Sequence, residues 1–259
     1  MTFAEDGSLC VDGRVIPVGK FDLHTHTTFS DGKNTPEEMV LSAIEKGLEA
    51  IGFSDHSYTE FDTSFCVQKK DIDAYLAEIG RLKKKYRSKI AVLCGIEQDL
   101  FGTFFPSAYD YRIGSVHYVK KGDVYADVDH TKEIFLESVN SCFGGDCYAY
   151  AEAYFAEVAQ LARVAGADII GHFDLVSKFN EGGVLFDEEN PRYVRAWQNA
   201  VDEILKHIRV FEMNFGAVAR GYRTTPYPSK PIQDYILSHG GVLIKSSDSH
   251  NVDNIGFWL

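Results

Sequence analysis

Residues 21–32 read FDLHTHTTFSDG, from Phe21 to Gly32. Two histidines, His24 and His26, stand one residue apart, and Asp31 follows five residues after the second. The run 21–27 reads as a strand, and successive strand side chains point to opposite faces. That alternation places Asp22, His24 and His26 on one face and Phe21, Leu23 and Thr25 on the other. A strand that spends alternate positions on imidazole can reach one ion with both rings.

Further short, β-branched runs recur along the chain, near 50–54, 90–95, 111–117, 168–171, 209–214 and 241–246. Helical patterns separate most of them. TPEEMVLSAIEKG (35–47) opens on a threonine cap with proline in the first turn and closes on Lys-Gly, the punctuation of a helix. Residues 71–86, 153–166, 190–207 and 230–240 follow the same logic, whereas 120–149 has no clear pattern. Strands alternating with helices predict a parallel α/β architecture. Neither GxGxxG nor GxxxxGK[ST] follows the first strand, which weakens an open nucleotide-binding sheet.

The polar residues favour a closed barrel. Of nine histidines, six (His24, His26, His56, His117, His172 and His250) fall at or just past the C-terminal end of an expected strand. Glu97 and Asp248 do the same, while His130, His207 and His239 lie elsewhere and are given no role. In a parallel barrel these strand ends share one rim, where active sites are built. A lone histidine there reads as a satisfied core residue. Six with two carboxylates do not, because clustered imidazoles repel one another when protonated unless a metal takes the protons' place.

Neutral imidazole with carboxylate suits zinc, manganese or iron. With Asp31 the set holds nine groups, more than the about four that one tetrahedral zinc takes, so two or three divalent ions are expected, with Glu97 able to bridge. Asp22, Asp55 and Asp174 adjoin these residues and could orient the rings or serve as ordinary caps or surface groups.

Composition bounds the partners. A net charge of −12 disfavours nucleic-acid phosphates and anionic membranes. The basic run RLKKKYR (81–87) reads as a solvated helix face. Five cysteines without a CxxC pair favour a reducing compartment, and Cys142 and Cys147 read as unconnected loop thiols. No stretch reads as a signal peptide or a membrane span, so a cytoplasmic protein with no membrane partner is expected.

Together these motifs resemble the PHP (polymerase and histidinol phosphatase) superfamily: HTH at 24–26, SDH at 54–56, GIE at 95–97, SVH at 115–117, IIGHFDL at 169–175 and SDSH at 247–250. The similarity is greatest to its histidinol-phosphate phosphatase branch, carried by GFSDHS (52–57) and NFGAVARGYRTTPYPS (214–229). The resemblance implies a distorted (β/α)7 barrel spanning 1–259 as one domain, with 1–19 as an N-terminal extension. It implies one ion on His24, His26, Glu97 and Asp248, a second on Asp31, His56 and His250, and a third on Glu97, His117 and His172. Some relatives carry histidine where Asp31 stands. Two departures are visible. Residues 120–147 match poorly, and GFWL (256–259) stands where a last helix is implied, so that helix is lacking or the barrel closes differently.

The implied activity is hydrolysis of the phosphate monoester histidinol phosphate, in histidine biosynthesis. Glu97, His172 and Asp248 are the candidate catalytic residues, and Arg220, in AVARGYR, is the candidate phosphate clamp, ahead of Arg223. Rival readings are a PHP phosphoesterase acting on nucleotides or nucleic-acid ends, a metal-dependent amidohydrolase, and a non-catalytic metal-binding domain.

Overall fold

A computed structural model describes residues 1–105 and 109–259. The chain opens with a small antiparallel sheet of β1 (Thr2–Phe3), β2 (Leu9–Val11) and β3 (Arg14–Ile16). Strands β4 (Phe21–Asp22), β5 (Ala50–Phe53), β6 (Ala91–Asp99) and β7 (Tyr111–Ser115) follow. A hairpin of β8 (Tyr118–Lys121) and β9 (Val124–Asp127) precedes β10 (Ile169–Ile170), β11 (Val210–Asn214) and β12 (Val242–Ser246).

Seven of these strands form one parallel sheet in the order β12-β11-β10-β7-β6-β5-β4. Its two edges meet at a parallel bridge between Thr25 and Ser249. There the His26 N–H donates to Ser249 O at 2.8 Å, and the Ser249 N–H donates to His24 O at 3.2 Å. The sheet is thus a seven-stranded barrel, as expected, and a distorted one. Regular pairing in β4 and β10 covers only two residues each. Strand β6 runs past the expected end at Gly95 to Asp99, which puts Glu97 inside it.

The surrounding helices are α1 (Pro36–Glu45), α2 (Ile72–Tyr86), α3 (Lys132–Phe143), α4 (Cys147–Val158), α5 (Leu161–Val164), α6 (Pro191–Ile204), α7 (Gly216–Ala219) and α8 (Lys230–Ser238). Thr35 and Glu38 cap α1 reciprocally, satisfying amides that a helix start leaves unpaired. The helix expected over 153–166 is two: α4 starts earlier, capped by Asp146, and a break at 159–160 separates it from α5. Cys142 and Cys147 therefore lie on helices rather than in a loop, and both thiols are free. The patternless stretch 120–149 folds as the β8–β9 hairpin and α3. The basic face of α2 is ion-paired: Arg81 with Glu78 and Glu37, Lys85 with Glu37, and Lys83 with Asp110.

Two apolar layers hold the barrel. Outside, side chains such as Ile170, Phe211, Phe155 and Trp197 pack between strands and helices. Inside, Phe21, Leu23, Leu93, Tyr111, Ile113, Ile169, Val210 and Ile244 fill the lumen. Leu9, Val11 and Ile16 join that inner cluster, so the first residues plug the barrel rather than trail from it. The Tyr111 ring crosses the lumen where Gly52 and Gly95 have no side chain, and a Cβ on either would collide with it. Its hydroxyl donates to Leu23 O at 2.5 Å and Phe53 O at 3.2 Å. After β12 a 3-10 turn (Val252–Asn254) packs on α1, where Lys46 donates to the carbonyls of Val252, Asp253 and Ile255 at 3.0, 2.6 and 2.9 Å.

Candidate metal centre

The strand register that builds the lumen also builds the site. Leu93 faces inward, and two steps of the same alternation bring Glu97 inward above it. Glu212 follows from Val210 in the same way, while His117 and Asp248 lie two residues past the ends of β7 and β12. Asp248 adopts a left-handed φ of 49°, a conformation that is uncommon outside glycine and concentrates at functional positions. The first strand departs from the simple alternation. Its pairing stops at Asp22, and His24 and His26 both turn into the site with no exposed surface, while Leu23 stays in the lumen.

Four ligand-type atoms surround one gap. His24 Nε2 lies 3.3 Å from Glu97 Oε2 and 3.7 Å from Asp248 Oδ1. His26 Nε2 lies 3.5 and 3.3 Å from the same two oxygens. A tetrahedral ion with ligands at about 2.1 Å would have edges of about 3.4 Å, close to these four separations, and His24, His26 and Asp248 form a mutually close set. A second group lies nearer solvent: Asp31 carboxylate oxygens stand 3.9 Å from His26 Nδ1, 3.7 Å from His56 Nε2 and 3.3 Å from His250 Nε2. The third centres on Glu97, with His56 Nδ1 at 2.9 Å, His117 Nε2 at 3.4 Å and His172 Nε2 at 2.9 Å. All nine expected groups therefore converge. The partition differs in one respect: His26 and His56 each present both ring nitrogens and join two groups.

His24 Nε2, both nitrogens of His26, Glu97 Oε2 and His172 Nδ1 are buried without a hydrogen-bond partner among the described residues. Each such atom costs roughly 1–3 kcal/mol if left unsatisfied. Divalent cations at these gaps would satisfy most of them at once, so the donor set fits such ions.

The electrostatics run in the same direction. Burial pushes the Glu97 carboxyl upward, yet the surrounding His24, His56 and His117 hold it well below the usual carboxylate range. Burial also opposes charge on Asp248, and Arg220 and His24 outweigh it. Burial pulls His24 down, but Glu212, Glu97 and Asp248 hold it well above the ordinary imidazole value. Burial, helped by His250 and His56, pushes His26 down to about 3. The surrounding carboxylates thus favour positive charge at the His24 end of the gap, while burial and its neighbouring imidazoles disfavour it on His26, and a divalent cation would supply that charge.

Of the two roles open to Asp22, Asp55 and Asp174, orienting rings or ordinary capping, the structure gives the second. Asp22 accepts from Ser247 and Gly256, Asp55 from Thr27 and Ser30, and Asp174 from Ser229. Each ties loops together and none bonds an imidazole. The rings are bonded instead by two acids that sequence reasoning missed. Glu212 Oε1 is 2.7 Å from His24 Nδ1, and Asp99 Oδ2 is 3.2 Å from His117 Nδ1. The available signal was an inward strand position given to an acid, in VFEMN and GIEQD.

A cavity of about 500 Å³ opens over the cluster. Arg220 lines it and donates to the Asp248 carbonyl at 2.9 Å and carboxylate at 3.1 Å. Arg223 does not, donating instead to Ser177 from a buried position. Lys178, held by Asp129 at 2.9 Å, and His130 also face this cavity, and neither was singled out from sequence. A wider cleft of about 720 Å³, lined by Glu181, Arg223 and Lys230, contains none of the clustered histidines.

Residues 22–216 match the PHP domain family. The chain is 27% identical to a histidinol-phosphatase of Bacillus subtilis, over 92% of this chain and 96% of that protein. Its fold superposes on a candidate histidinol phosphatase of Listeria monocytogenes with a TM-score of 0.79 at 22% identity, covering 91% of this chain and 97% of that one. It also superposes on the histidinol phosphate phosphatase of Lactococcus lactis, solved with zinc, L-histidinol and phosphate, with a TM-score of 0.67 at 20% identity, covering 90% and 87%.

Proposed function

The chain belongs to the PHP domain family, and on that premise we propose that it is a metal-dependent phosphomonoesterase hydrolysing histidinol phosphate to histidinol and inorganic phosphate. The observation that carries this reading is the convergence of six imidazoles and three carboxylates, several with unpartnered buried atoms, beneath one open cavity. His24, His26, Glu97 and Asp248 would hold the inner ion, Asp31, His56 and His250 the outer one, and Glu97 with His117 and His172 the third. Such ions supply charge neutralisation at a phosphoryl group and acidify water.

The protein's own residues set where that chemistry happens. The apolar lumen beneath excludes water from below, so the cluster is reached from the cavity. Arg220 is fixed by Asp248 and lines the cavity, where its guanidinium would serve as the phosphate clamp. Lys178 adds a second cation at the wall, steadied by Asp129. Glu97, His172 and Asp248 are the residues closest to the reacting group in this reading. Glu97 is the hub, since its two oxygens contact imidazoles from four other segments.

The substrate is a small phosphate ester rather than long nucleic acid, consistent with the charge of −12. No helix among the described residues is long and apolar enough to cross a membrane, and the free cysteines suit a reducing cytoplasm. Elemental analysis of purified protein, paired with a phosphate-release screen, tests the proposal. We expect two to three zinc, manganese or iron ions per chain. Turnover of histidinol phosphate should exceed that of nucleoside monophosphates and short oligonucleotides. Metal-loaded protein that releases phosphate from none of them would overturn it.

A further inference from the structure

Glu212 sits mid-strand in β11, only 1% exposed, on the lumen face with Val210 and Asn214. A carboxylate so placed is costly unless its oxygens are filled. They are filled by three donors. Oε1 lies 2.7 Å from His24 Nδ1, and Oε2 accepts from the His172 N–H and from Asn214 Nδ2, each at 3.1 Å.

Both Glu212 oxygens face donor groups and so act as acceptors, which places the proton shared with His24 on Nδ1. The other nitrogen, Nε2, is then free to bind a cation. It is also the atom that faces His26, Glu97 and Asp248 and lacks a hydrogen-bond partner. Resting on the metal-centre reading above, we infer that Glu212 is a positioning residue of that centre: it locks His24 in the Nδ1–H tautomer and aims Nε2 into the inner gap. Its second oxygen fixes the His172 backbone, so one side chain sets two ligand candidates on different strands. Carboxylates behind metal-bound imidazoles typically govern metal affinity in this way.

Glutamine keeps the shape of Glu212 but has only one accepting oxygen. Its amide N–H₂ must face either His24 Nδ1 or the His172 N–H. Facing His24, it favours the Nε2–H tautomer, which cannot bind a cation through that nitrogen. The test compares zinc-loaded wild type with Glu212→Gln. Both are dialysed against buffers of graded free zinc, zinc per chain is read by elemental analysis, and circular dichroism confirms the fold. We expect the most tightly held zinc to leave the variant at a free concentration ~10–100-fold higher than in wild type. Coincident release curves from two folded proteins would overturn the inference. A wild type that retains no zinc at any concentration would instead overturn the metal-centre reading beneath it.

A second measurement needs no variant. In zinc-loaded wild type labelled with ¹⁵N-histidine, His24 is assigned through its neighbours His26 and His172, whose rings lie 5.1 and 5.9 Å away. It should carry its proton on Nδ1 and the metal on Nε2. The opposite tautomer would overturn the inference even if Glu212→Gln failed to fold.

Discussion

The lower and upper halves of the barrel lumen are made by the same strands and obey the same alternation, yet they hold opposite chemistry. Below, Leu93, Ile113, Ile169, Val210 and Ile244 exclude water and contribute to stability by burial. Two to four residues further along, the same strands present Glu97, His117, Glu212 and Asp248, equally inward and nearly as buried. Each of these groups would be a liability in the lower half, where nothing could pair with it. Together they are tolerable because every carboxylate has an imidazole or an arginine within reach. The change from one layer to the other is thus a change of occupant on an unbroken scaffold. Damage to the upper layer should cost function, and damage to the lower layer should cost the fold.

The largest expected effect breaks the upper layer alone. Glu97→Ala removes the carboxylate shared by the inner and third groups and should lower phosphatase turnover by roughly 10³-fold or more, with loss of bound metal measured on the same sample. Full turnover by a metal-free Glu97→Ala protein would end the proposed mechanism.

The next breaks the lower layer alone. Gly95→Ala sets a methyl group against the Tyr111 ring, and over-packing of this kind costs roughly 1–3 kcal/mol. The urea midpoint should fall accordingly, while metal per folded chain stays at the wild-type value. An unchanged midpoint would mean that Tyr111 can give way, and that the lower layer is softer than its packing suggests.

The smallest sharpens the boundary between holding metal and holding substrate. Arg220→Ala should raise KM for phosphate esters by about 10-fold, equivalent to about 1.4 kcal/mol, at unchanged metal content. If KM does not move, Arg220 serves only to brace Asp248.

Much of this comparison is legible in the sequence. Seven apolar runs predict seven barrel strands, because a strand buried on both faces must be short, β-branched and punctuated. The rim histidines are legible because each falls where its run stops. Three things are not. Strands as brief as β1 to β3 leave no periodicity to read, so their role as a plug is hidden. Which ions His26 and His56 would share depends on ring rotation, which spacing does not encode. Glu212 is one acid inside an apolar strand and looks like an exposed outward residue until the register is known. The neighbours of the ligands, Asp22, Asp55 and Asp174, are open to either role in the sequence, and only the fold shows them turned toward backbone amides and hydroxyls, not rings.

The barrel's seam carries a consequence of its own. Among the described residues, one β-bridge, Thr25 to Ser249, joins the ends of β4 and β12, and side-chain bonds from Ser247 to Asp22 support it in place of regular pairing. His24 and His26 stand on one lip of that seam, Asp248 and His250 on the other. An ion gripped by both lips would act as a clasp, fastening the first strand to the last. The cylinder would then be latched by the very cargo it was shaped to hold, and stripping that cargo would loosen the hoop at its join before any stave gave way.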